Sequence, residues 1–371
     1  MKIIFQKPAL LNGLNIVLKA VSSKSTMPIL ECILIDAEDT NIKLTANDME
    51  LGIETTIEGN ILGKGKIAIN AKLFSEIIRK LPDNDVTIES DENFLLTISC
   101  EKSKLRIPGQ SGEEFSYLPD IEKGSYVCLS QFTLKEVIRQ TIFSIAANDV
   151  NKIMTGELFE INENTLRVVA LDGHRISIRN VILKDNYPDQ KVIVPGKTLN
   201  EVSKILSGDV DQDVYIFFTG NHICFEFDNT IVVSRLIEGE YFRVNQMLSD
   251  NYETKVRINK KELLGGLERS VLLVRENDNK PIVLNFEDEK LEISLNSSLG
   301  SMREDMPVQK QGKDLMIGFN PRYVIDALRV IDDEEIDLYM TNAKAPCFIK
   351  DEKGSYIYLI LPVNFLPANY S

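Results

Sequence analysis

Three stretches of similar sequence, AKLFSEIIRKL (71–81), GKTLNEVSKILS (196–207) and NPRYVIDALRVI (320–331), decide the fold of this chain. Each has apolar residues at the three- and four-residue spacing of an amphipathic helix. Each follows a β-like run (KIAIN, KVIVP or LMIGF) and precedes two alternating strands. Because helix and strands recur together, we predict three copies of one α+β unit.

A second amphipathic helix is predicted to open each copy. Apolar spacing places these helices at Leu10–Val21, Ser130–Ala147 and Asn259–Val274. A helix with one apolar face buries that face against a neighbouring layer. We therefore expect two helices packed on antiparallel sheets in every copy. The predicted domains are 1–123, 124–249 and 250–371.

Two basic positions recur in all three second helices, each time 125 residues apart. They are Lys72, Lys197 and Arg322 and, seven residues further along each helix, Arg79, Lys204 and Arg329. Seven residues are close to two helical turns, so both side chains of a helix project from one face. A solvated helix face often carries charge without a function, but the threefold register favours a shared ligand.

The charge of the chain is divided unevenly. The six predicted helices contain 13 Lys and Arg residues against 6 Asp and Glu residues, a surplus of 7 positive charges. Since the net charge is −14, the remaining residues carry a surplus of 21 negative charges. An acidic protein is normally repelled by nucleic acid. This division instead predicts a basic helical layer on an acidic remainder.

Three copies in a row leave unpaired strand edges at both ends of the chain, and exposed strand edges promote aggregation. Two copies joined head to tail would cover both edges and give a symmetric dimeric ring. Basic helices inside such a ring would contact phosphates, and these contacts carry little sequence information. The pattern therefore favours a ring around duplex DNA over a sequence-specific binder.

The cysteines and the apolar runs point to the cytoplasm. The five cysteines are scattered and form no CxxC pair, which favours free thiols in a reducing compartment. The first residues, MKIIFQKPALL, have an apolar run that is too short and interrupted for a signal peptide. No apolar run approaches the roughly 20 residues of a membrane-spanning helix. We expect a cytoplasmic protein.

Five motifs resemble the bacterial DNA polymerase III beta subunit family over essentially the whole chain. They are SKSTMPILECILI (23–35), NDMELGIE (47–54), LDGHRISI (171–178), VPGKTLNEV (194–202) and YLILPVNF (358–365). The resemblance implies a homodimeric ring of repeated DNA-clamp domains that tethers the replicative polymerase to duplex DNA. It implies a non-catalytic subunit of the polymerase III holoenzyme, without cofactor or metal. Implied partners are the polymerase III alpha subunit, the clamp loader and other proteins with a clamp-binding peptide.

The resemblance also assigns sites, residue by residue. The implied partner-peptide pocket comprises Met154, Leu171, Gly173, His174, Arg175, Ile176, Phe242, Met247, Pro346, Leu359, Leu361, Pro362 and Val363. The implied DNA contacts are Lys24, Lys72, Asn148 and Lys197. The implied dimer contacts are Leu105, Ile107, Leu272 and Leu273, with Lys102, Lys104 and Arg106 facing Glu304 and Asp305. Gly196 and Phe242 stand where the family often has a basic residue and a proline.

An enzymatic alternative rests on the DGHR segment. Asp172 and His174 could form an acid–base pair, with Arg175 binding an anion. No motif places a nucleophile nearby, and the repeat puts Asn47-Asp48 at the equivalent position of the first copy. The preference of Asp and Gly for turns explains the segment without catalysis.

Two further alternatives are a metal or phosphate site and a purely protein-binding repeat. The two histidines, His174 and His222, lack paired ligand spacing, and GKGK (63–66) lacks the phosphate-loop pattern and indicates a hairpin turn. An acidic repeat protein that serves only as a peptide-binding hub would share the fold and the pocket. It would lack the topological hold on DNA.

Overall fold

The computed structural model describes residues 1–22, 25–119, 121, 123–147, 151–275 and 280–366. All six predicted helices are present in these residues. They are α1 (Lys7–Val17), α2 (Ala71–Lys80), α3 (Gln131–Thr141), α4 (Gly196–Ile205), α5 (Lys260–Val271) and α6 (Pro321–Val330). The three second helices end within two residues of the predicted bounds.

The first helices of the copies are shorter at their C-terminal ends than predicted. Tighter 3-10 turns, Leu18–Ala20 and Ile142–Ser144, follow α1 and α3. Beyond α5, Val274 N donates to Val271 O at 3.0 Å, which is again the 3-10 spacing. Helices often tighten in this way where the last carbonyl groups lack helical partners. The apolar spacing continues through these turns, so the sequence predicted longer helices.

The described chain forms two compact units. The first contains Met1–Lys135 and Lys197–Leu236, and the second contains Glu136–Gly196 and the residues from Ile237 onward. The strands of the first unit are β1 (Lys2–Gln6), β2 (Cys32–Asp36), β3 (Ile42–Asn47), β4 (Leu51–Ile57), β5 (Asn60–Gly63), β6 (Lys66–Asn70), β7 (Asp85–Ser90), β8 (Leu95–Cys100), β9 (Ser103–Pro108), β10 (Gln110–Ser111), β11 (Tyr126–Ser130), β14 (Asp213–Phe218), β15 (His222–Phe227) and β16 (Thr230–Arg235). They build a five-stranded sheet, β5-β1-β7-β8-β9, and a nine-stranded sheet, β10-β6-β2-β3-β4-β16-β15-β14-β11.

The second unit has the same kind of architecture. Its strands are β12 (Gly156–Leu171), β13 (Arg175–Pro195), β17 (Thr254–Asn259), β18 (Ile282–Glu287), β19 (Lys290–Asn296), β20 (Ser301–Pro307), β21 (Gln309–Gly312), β22 (Leu315–Phe319), β23 (Glu335–Met340), β24 (Cys347–Lys350) and β25 (Tyr356–Ile360). A seven-stranded sheet runs β12-β13-β25-β24-β23-β17-β21, and a four-stranded sheet runs β20-β19-β18-β22.

Two antiparallel ladders join strands of successive predicted copies. In the first unit β4 pairs with β16, and in the second unit β13 pairs with β25. Each sheet therefore continues across a predicted domain boundary, and the two compact units divide the predicted central domain between them. The domain bounds taken from the sequence stay a prediction.

The cores of the units lie under the helices, as the apolar stripes predict. Leu10, Leu14 and Val17 of α1 are completely buried. In α5 Leu263 and Leu267 are buried, whereas the neighbouring Leu264 is only half-buried. Because two leucines are adjacent, the sequence alone does not decide which of them faces the core. In the structure the buried face of α5 is the one that also carries Gly266 and Ser270.

The GKGK segment is not a hairpin turn, so that prediction was wrong. It connects β5 to β6, but β5 pairs with β1 in one sheet and β6 pairs with β2 in the other. Gly65 has φ +145°, a conformation open to glycine and rarely adopted by other residues. The segment therefore moves the chain from one sheet to the other.

Candidate functional site

The basic residues of α2 are exposed, as their position opposite the apolar stripe predicts. Lys72 and Arg79 both face solvent. Arg79 Nη2 donates to Asn15 Oδ1 of α1 at 3.0 Å, which orients the guanidinium without neutralising it. Within the described residues no acidic side chain forms an ion pair with Lys72 or Arg79. Both positive charges remain available to an anionic ligand.

The basic residues of α4 are also exposed but have acidic neighbours. Lys197 pairs with Asp48, and Lys204 Nζ lies 2.8 Å from Glu201 Oε1. More than half of each lysine side chain is exposed. The carboxylates are less exposed, 8% for Asp48 and 20% for Glu201, so each pair is open to an incoming anion on its lysine side.

A cavity of about 580 Å³ lies beside these helices within the first unit. Its lining includes three cationic side chains, Lys19, Arg79 and Lys204, and three amides, Asn12, Asn15 and Asn229. Asp228 is the one acidic residue among the described residues that line it. The excess of donors and positive charge suits an anionic, hydrated ligand such as a phosphodiester backbone.

In α6, which belongs to the second unit, Arg322 and Arg329 are exposed. Arg329 Nη2 lies 2.8 Å from Glu268 Oε1 of α5, and both side chains are well exposed. Among the described residues no carboxylate pairs with Arg322. The third copy therefore repeats the exposed basic pair found on α2.

Most basic residues of the first helices have structural roles instead. Lys7, Lys135 and Lys260 donate from Nζ to main-chain oxygens at the C-terminal ends of the second helices. The acceptors are Leu81 O at 2.5 Å, Leu206 O at 2.9 Å and Ile331 O at 2.5 Å. A cation there satisfies a carbonyl group that the helix leaves unpaired. The sequence had counted Lys135 and Lys260 in the basic layer, and this assignment was wrong.

The two arginines of the first helices are paired as well. Arg139 Nη2 lies 2.6 Å from Glu136 Oε2 and 3.2 Å from Asp332 Oδ1. Arg269 Nε donates to Glu304 Oε2 at 2.9 Å. Among the described residues, Lys72, Arg79 and Arg322 of the second helices have no carboxylate partner, whereas Lys197, Lys204 and Arg329 are ion-paired.

The resemblance associates three further positions with DNA binding. Lys24 and Asn148 lie outside the described residues. Gly196, where the family often has a basic residue, has no space for a side chain. A Cβ there would stand 2.1 Å from Ile145 Cδ1 and 2.9 Å from Thr155 O. Close packing at the start of α4 accounts for this departure.

The predicted partner-peptide residues converge on one apolar cluster of the second unit. Leu171, Ile176 and Leu359 are buried in it, and Met154 and Phe242 pack against it half-buried. These residues come from the 3-10 turn Lys152–Thr155, from β12, β13 and β25, and from the segment that precedes β17. Large apolar side chains at the surface of such a cluster form a groove for the anchors of a short peptide.

Two more of the predicted pocket residues have exposed apolar side chains. Met247 and Leu361 are 46% and 38% exposed. Leu361 N donates to His174 O at 2.9 Å, and Val363 N donates to Gly318 O at 2.8 Å, so the tail is fixed beside the DGHR turn. The half-buried Pro362 lies between these two bonds, and the half-buried Pro346 directly precedes β24, whose Phe348 belongs to the cluster.

The DGHR segment is a tight turn. Gly173 has φ +85°, which favours glycine. Asp172 Oδ1 accepts bonds from the backbone N–H groups of His174 at 3.0 Å and Arg175 at 3.1 Å. Asp48 makes the same pattern in the first copy, with Leu51 N at 2.7 Å. These bonds support the turn interpretation over the acid–base alternative.

Arg175 does not point its charge at the open groove. Its side chain is only 11% exposed. Three bonds hold the guanidinium: Nε to Asp172 Oδ2 at 3.0 Å, Nη1 to Asp326 Oδ2 at 2.6 Å and Nη2 to Phe143 O at 2.5 Å. It also lies 4.6 Å from the ring centroid of Tyr323. We call these five residues the Arg175 cluster; it fastens the turn to α6.

The sequence missed several groove residues. Tyr323 stacks on His174 with ring centroids 5.7 Å apart and planes 18° from parallel. Tyr241 OH donates to Val169 O at 3.1 Å, and burial raises the pKa of this phenol well above its usual range. Phe348 lies in the same cluster. No repeat marks these positions, and an aromatic residue in an apolar stripe is equally typical of a core.

The residues assigned to the dimer contact lie in an end strand of one sheet and directly after α5. In the first unit Leu105 and Ile107 belong to β9, the last strand of the five-stranded sheet. In the second unit Leu272 is 78% exposed, and Leu273 beside it is half-buried. A leucine exposed to that degree favours burial by another molecule.

Neither a metal centre nor a membrane segment is present in the described residues. They contain no group of three or more His, Cys, Asp and Glu side chains in a metal-binding arrangement. Every helix in that part of the chain is too short or too polar to span a bilayer.

Comparison with known proteins gives one consistent result. Three family models of the DNA polymerase III beta subunit match the chain: the N-terminal domain at residues 1–119, the central domain at 128–242 and the C-terminal domain at 245–364. A beta sliding clamp of Staphylococcus epidermidis is 33% identical over 374 residues, covering 98% of this chain and 99% of the relative.

Solved structures agree with the sequence relatives. A putative DNA polymerase III beta subunit from Eubacterium rectale is 65% identical, with a TM-score of 0.96 over 98% of this chain and 100% of that one. The DNA polymerase sliding clamp of Bacillus subtilis is 34% identical, with a TM-score of 0.94 over 99% and 100% of the two chains.

Proposed function

Because this chain belongs to the DNA polymerase III beta subunit family and is a DNA sliding clamp, we propose that its three second helices carry the surface that faces duplex DNA. A sliding clamp is a processivity factor, and the chain has the three repeated clamp domains of the family. The clamp holds a polymerase on DNA and catalyses nothing itself.

One observation carries the assignment of this surface. An acidic chain of net charge −14 keeps two basic side chains exposed at the same two positions of α2, α4 and α6. The positions are Lys72, Lys197 and Arg322, and Arg79, Lys204 and Arg329. Phosphate contacts from such side chains are independent of base sequence, which lets a closed ring slide.

The ring itself is tested by topology. Clamp loaded onto a nicked circular DNA should stay bound in high salt and should leave once the circle is linearised. An electrostatic binder would leave both forms equally as salt is raised, because its only hold is counterion release. Equal loss from circle and line would contradict the encircling function.

The DNA face is tested by charge reversal. Replacing Lys72, Lys197 and Arg322 with Glu should impair loading, and each lost phosphate contact should lower the salt slope of reversible DNA binding by about 0.9. The matched control reverses one exposed, ion-paired lysine in each copy, Lys43→Glu, Lys191→Glu and Lys313→Glu. If the two triple variants load alike, the second helices do not face DNA.

We also propose that the groove around Leu171, Ile176 and Leu359 receives clamp-binding peptides of the polymerase III alpha subunit, the clamp loader and other partners. Its support is the convergence of apolar side chains in one cluster and the exposed apolar side chains of Met247 and Leu361. Met247→Glu with Leu361→Glu should abolish capture of purified alpha subunit while the clamp still stays on circular DNA. Unchanged capture would place the partner site elsewhere.

The closed ring is proposed to be a homodimer acting in the cytoplasm, with domains near 1–123, 124–249 and 250–371. A solution mass of about twice 41.9 kDa tests the dimer. The alternative of an acidic repeat protein that binds only peptides is not favoured, because the curated relatives and similar structures named above are clamps.

A further inference from the structure

The cavity of about 580 Å³ in the first unit contains a cation that is not one of the six repeated basic positions. This cation is Lys19, which lies in the 3-10 turn after α1 and is half-buried. Its ammonium group forms no ion pair or hydrogen bond with another described residue. Burial of an unpaired charge is unfavourable, so an anion that enters the cavity would stabilise Lys19.

Two further cations line the same cavity, one from α2 and one from α4. Arg79 has no carboxylate partner among the described residues, and its guanidinium is oriented by Asn15 Oδ1 at 3.0 Å. Lys204 lies 2.8 Å from Glu201 Oε1. Asp228 is the acidic side chain in the described lining. Three positive charges against one negative charge in a concave site favour a ligand that carries several negative charges.

The helix ends at this cavity do not cancel its positive charge. The C-terminal end of a helix carries a partial negative charge that would repel an anion. At the end of α4, however, Lys135 Nζ donates to Leu206 O at 2.9 Å and offsets this charge. At the end of α1 the following turn, Leu18–Ala20, contains Lys19 itself.

The cavity also offers uncharged hydrogen-bond donors. The side-chain amides of Asn12, Asn15 and Asn229 line it, and none of their Nδ2 groups donates a hydrogen bond to another described residue. Phosphate oxygens accept bonds from such amides as well as from cations. A volume of about 580 Å³ also lies within the range of roughly 300–1000 Å³ that is common for small-molecule sites.

The second unit has a cavity at the equivalent place in its own copies, but that cavity is acidic. Gln140 in its lining follows Asn15 of the first cavity by 125 residues, and Asp332 follows Ser207 by the same interval. Its described lining has six carboxylates against four cationic side chains. A small anion is therefore expected to bind the cavity of the first unit and not that of the second.

We propose that the cavity of the first unit binds a free oligophosphate, a short chain of linked phosphate groups, with Lys19, Arg79 and Lys204 contacting its oxygens. Such a chain concentrates several negative charges in a volume that the cavity can hold. The inference goes beyond the proposed DNA surface, because its ligand is a small free anion and Lys19 is not a repeated position. Since Arg79 and Lys204 belong to both surfaces, a bound oligophosphate leaves two fewer cations for DNA. We call this site the oligophosphate cavity.

Titration of the full chain without DNA tests the site directly. Calorimetric titration with inorganic tripolyphosphate at low salt should give one binding site per chain, because the equivalent cavity is acidic. A variant with Lys19→Met, Arg79→Gln and Lys204→Gln should bind at least about 100-fold more weakly, since each lost charge-assisted hydrogen bond costs about tenfold or more. No binding by the unmodified chain, or unchanged affinity in this variant, would overturn the proposal.

The matched control removes the same amount of positive charge elsewhere. Lys72→Gln with Lys197→Gln and Arg322→Gln also deletes three charges, but these side chains do not line the oligophosphate cavity. This variant should keep its affinity for tripolyphosphate within about threefold. An equal loss in both triple variants would indicate general electrostatic attraction and overturn the proposal. Neither titration contains DNA, so such a result would leave the clamp function intact.

A parallel titration with ATP identifies the source of the phosphate chain. Ile16 and Ile57 are half-buried in the cavity lining and offer apolar surface to a ribose or a base. Tighter binding of ATP than of tripolyphosphate would assign the cavity to nucleotides. Equal or weaker binding of ATP would assign it to inorganic oligophosphate. Binding of ATP that survives in the variant at Lys19, Arg79 and Lys204 would place the ligand elsewhere and overturn the proposal.

Discussion

Arg175→Lys is the substitution that most directly tests how the groove is held together. The arginine makes three hydrogen bonds, of 3.0, 2.6 and 2.5 Å, to Asp172, Asp326 and Phe143 O, and lies over the Tyr323 ring. A lysine keeps the positive charge but replaces a planar fork of donors with one ammonium group. It can satisfy one of these acceptors at the original geometry.

The magnitude follows from the bonds that are lost. A hydrogen bond to a charged group contributes about 1.5–3 kcal/mol. The lysine variant loses two such bonds. Because Asp326 is one-third exposed and can form hydrogen bonds to water instead, we expect the local free energy of unfolding to fall by about 2–4 kcal/mol. The loss should be local, since the Arg175 cluster connects the DGHR turn only to α6 and to the 3-10 turn Ile142–Ser144.

A local assay is needed because a chain of several domains does not have to unfold in one step. The amide of Leu361 is the reporter, since its N–H donates to His174 O at 2.9 Å. A loss of about 2–4 kcal/mol should speed its hydrogen exchange by roughly 30- to 1000-fold, at about tenfold for each 1.4 kcal/mol. Capture of the alpha subunit should weaken in parallel.

Arg167→Lys is the matched control. Arg167 lies on β12 of the same unit, with a side chain that is also mostly buried, but it has one ion pair, 3.4 Å from Glu160. For a single ion pair at this distance, we expect the lysine substitution to lower the free energy of unfolding by less than about 1 kcal/mol. If Arg175→Lys accelerates exchange at Leu361 no more than Arg167→Lys does, the Arg175 cluster does not hold the turn and the reasoning fails.

Two further predictions concern the interface and a buried carboxyl. Leu272→Ala with Leu273→Ala should leave folded monomers, because truncating apolar groups at an interface costs a few kcal/mol; an unaltered dimer mass in sedimentation would refute the contact. Glu157 is completely buried, and desolvation raises its pKa well above 4.5, opposed by the Thr141 hydroxyl. The unfolded chain ionises this group above pH 4.5 while the folded chain keeps it protonated, so stability should fall as pH rises from there. Glu157→Gln should remove that loss, giving a variant more stable than the unmodified chain at pH 8 and of similar stability at pH 4; equal differences between the two urea midpoints at both pH values would contradict a protonated Glu157.

Local patterns in the sequence determined which segments are helices and which faces carry charge. The periodicity of apolar residues located α1 to α6, and the 125-residue interval aligned Lys72, Lys197 and Arg322. Both signals arise within one element, where the geometry of the helix fixes which side chains share a face. For the same reason the exposed position of these cations could be predicted before any packing was known.

The tertiary structure alone decided which distant residues meet. Lys135 and Lys260 belong to basic helices, yet they bind main-chain carbonyls, because the partner helix ends beside them. Arg175 was assigned to a peptide pocket by resemblance, but its guanidinium is enclosed by Asp326, 151 residues away. Pairing between strands of different copies brings such residues together. Because these strands are far apart in sequence, neither strand contains a periodic pattern that identifies its partner. The sequence thus specified the repeated copy and its charged helices, whereas packing between strands of successive copies within one compact unit brought the residues of the apolar cluster together.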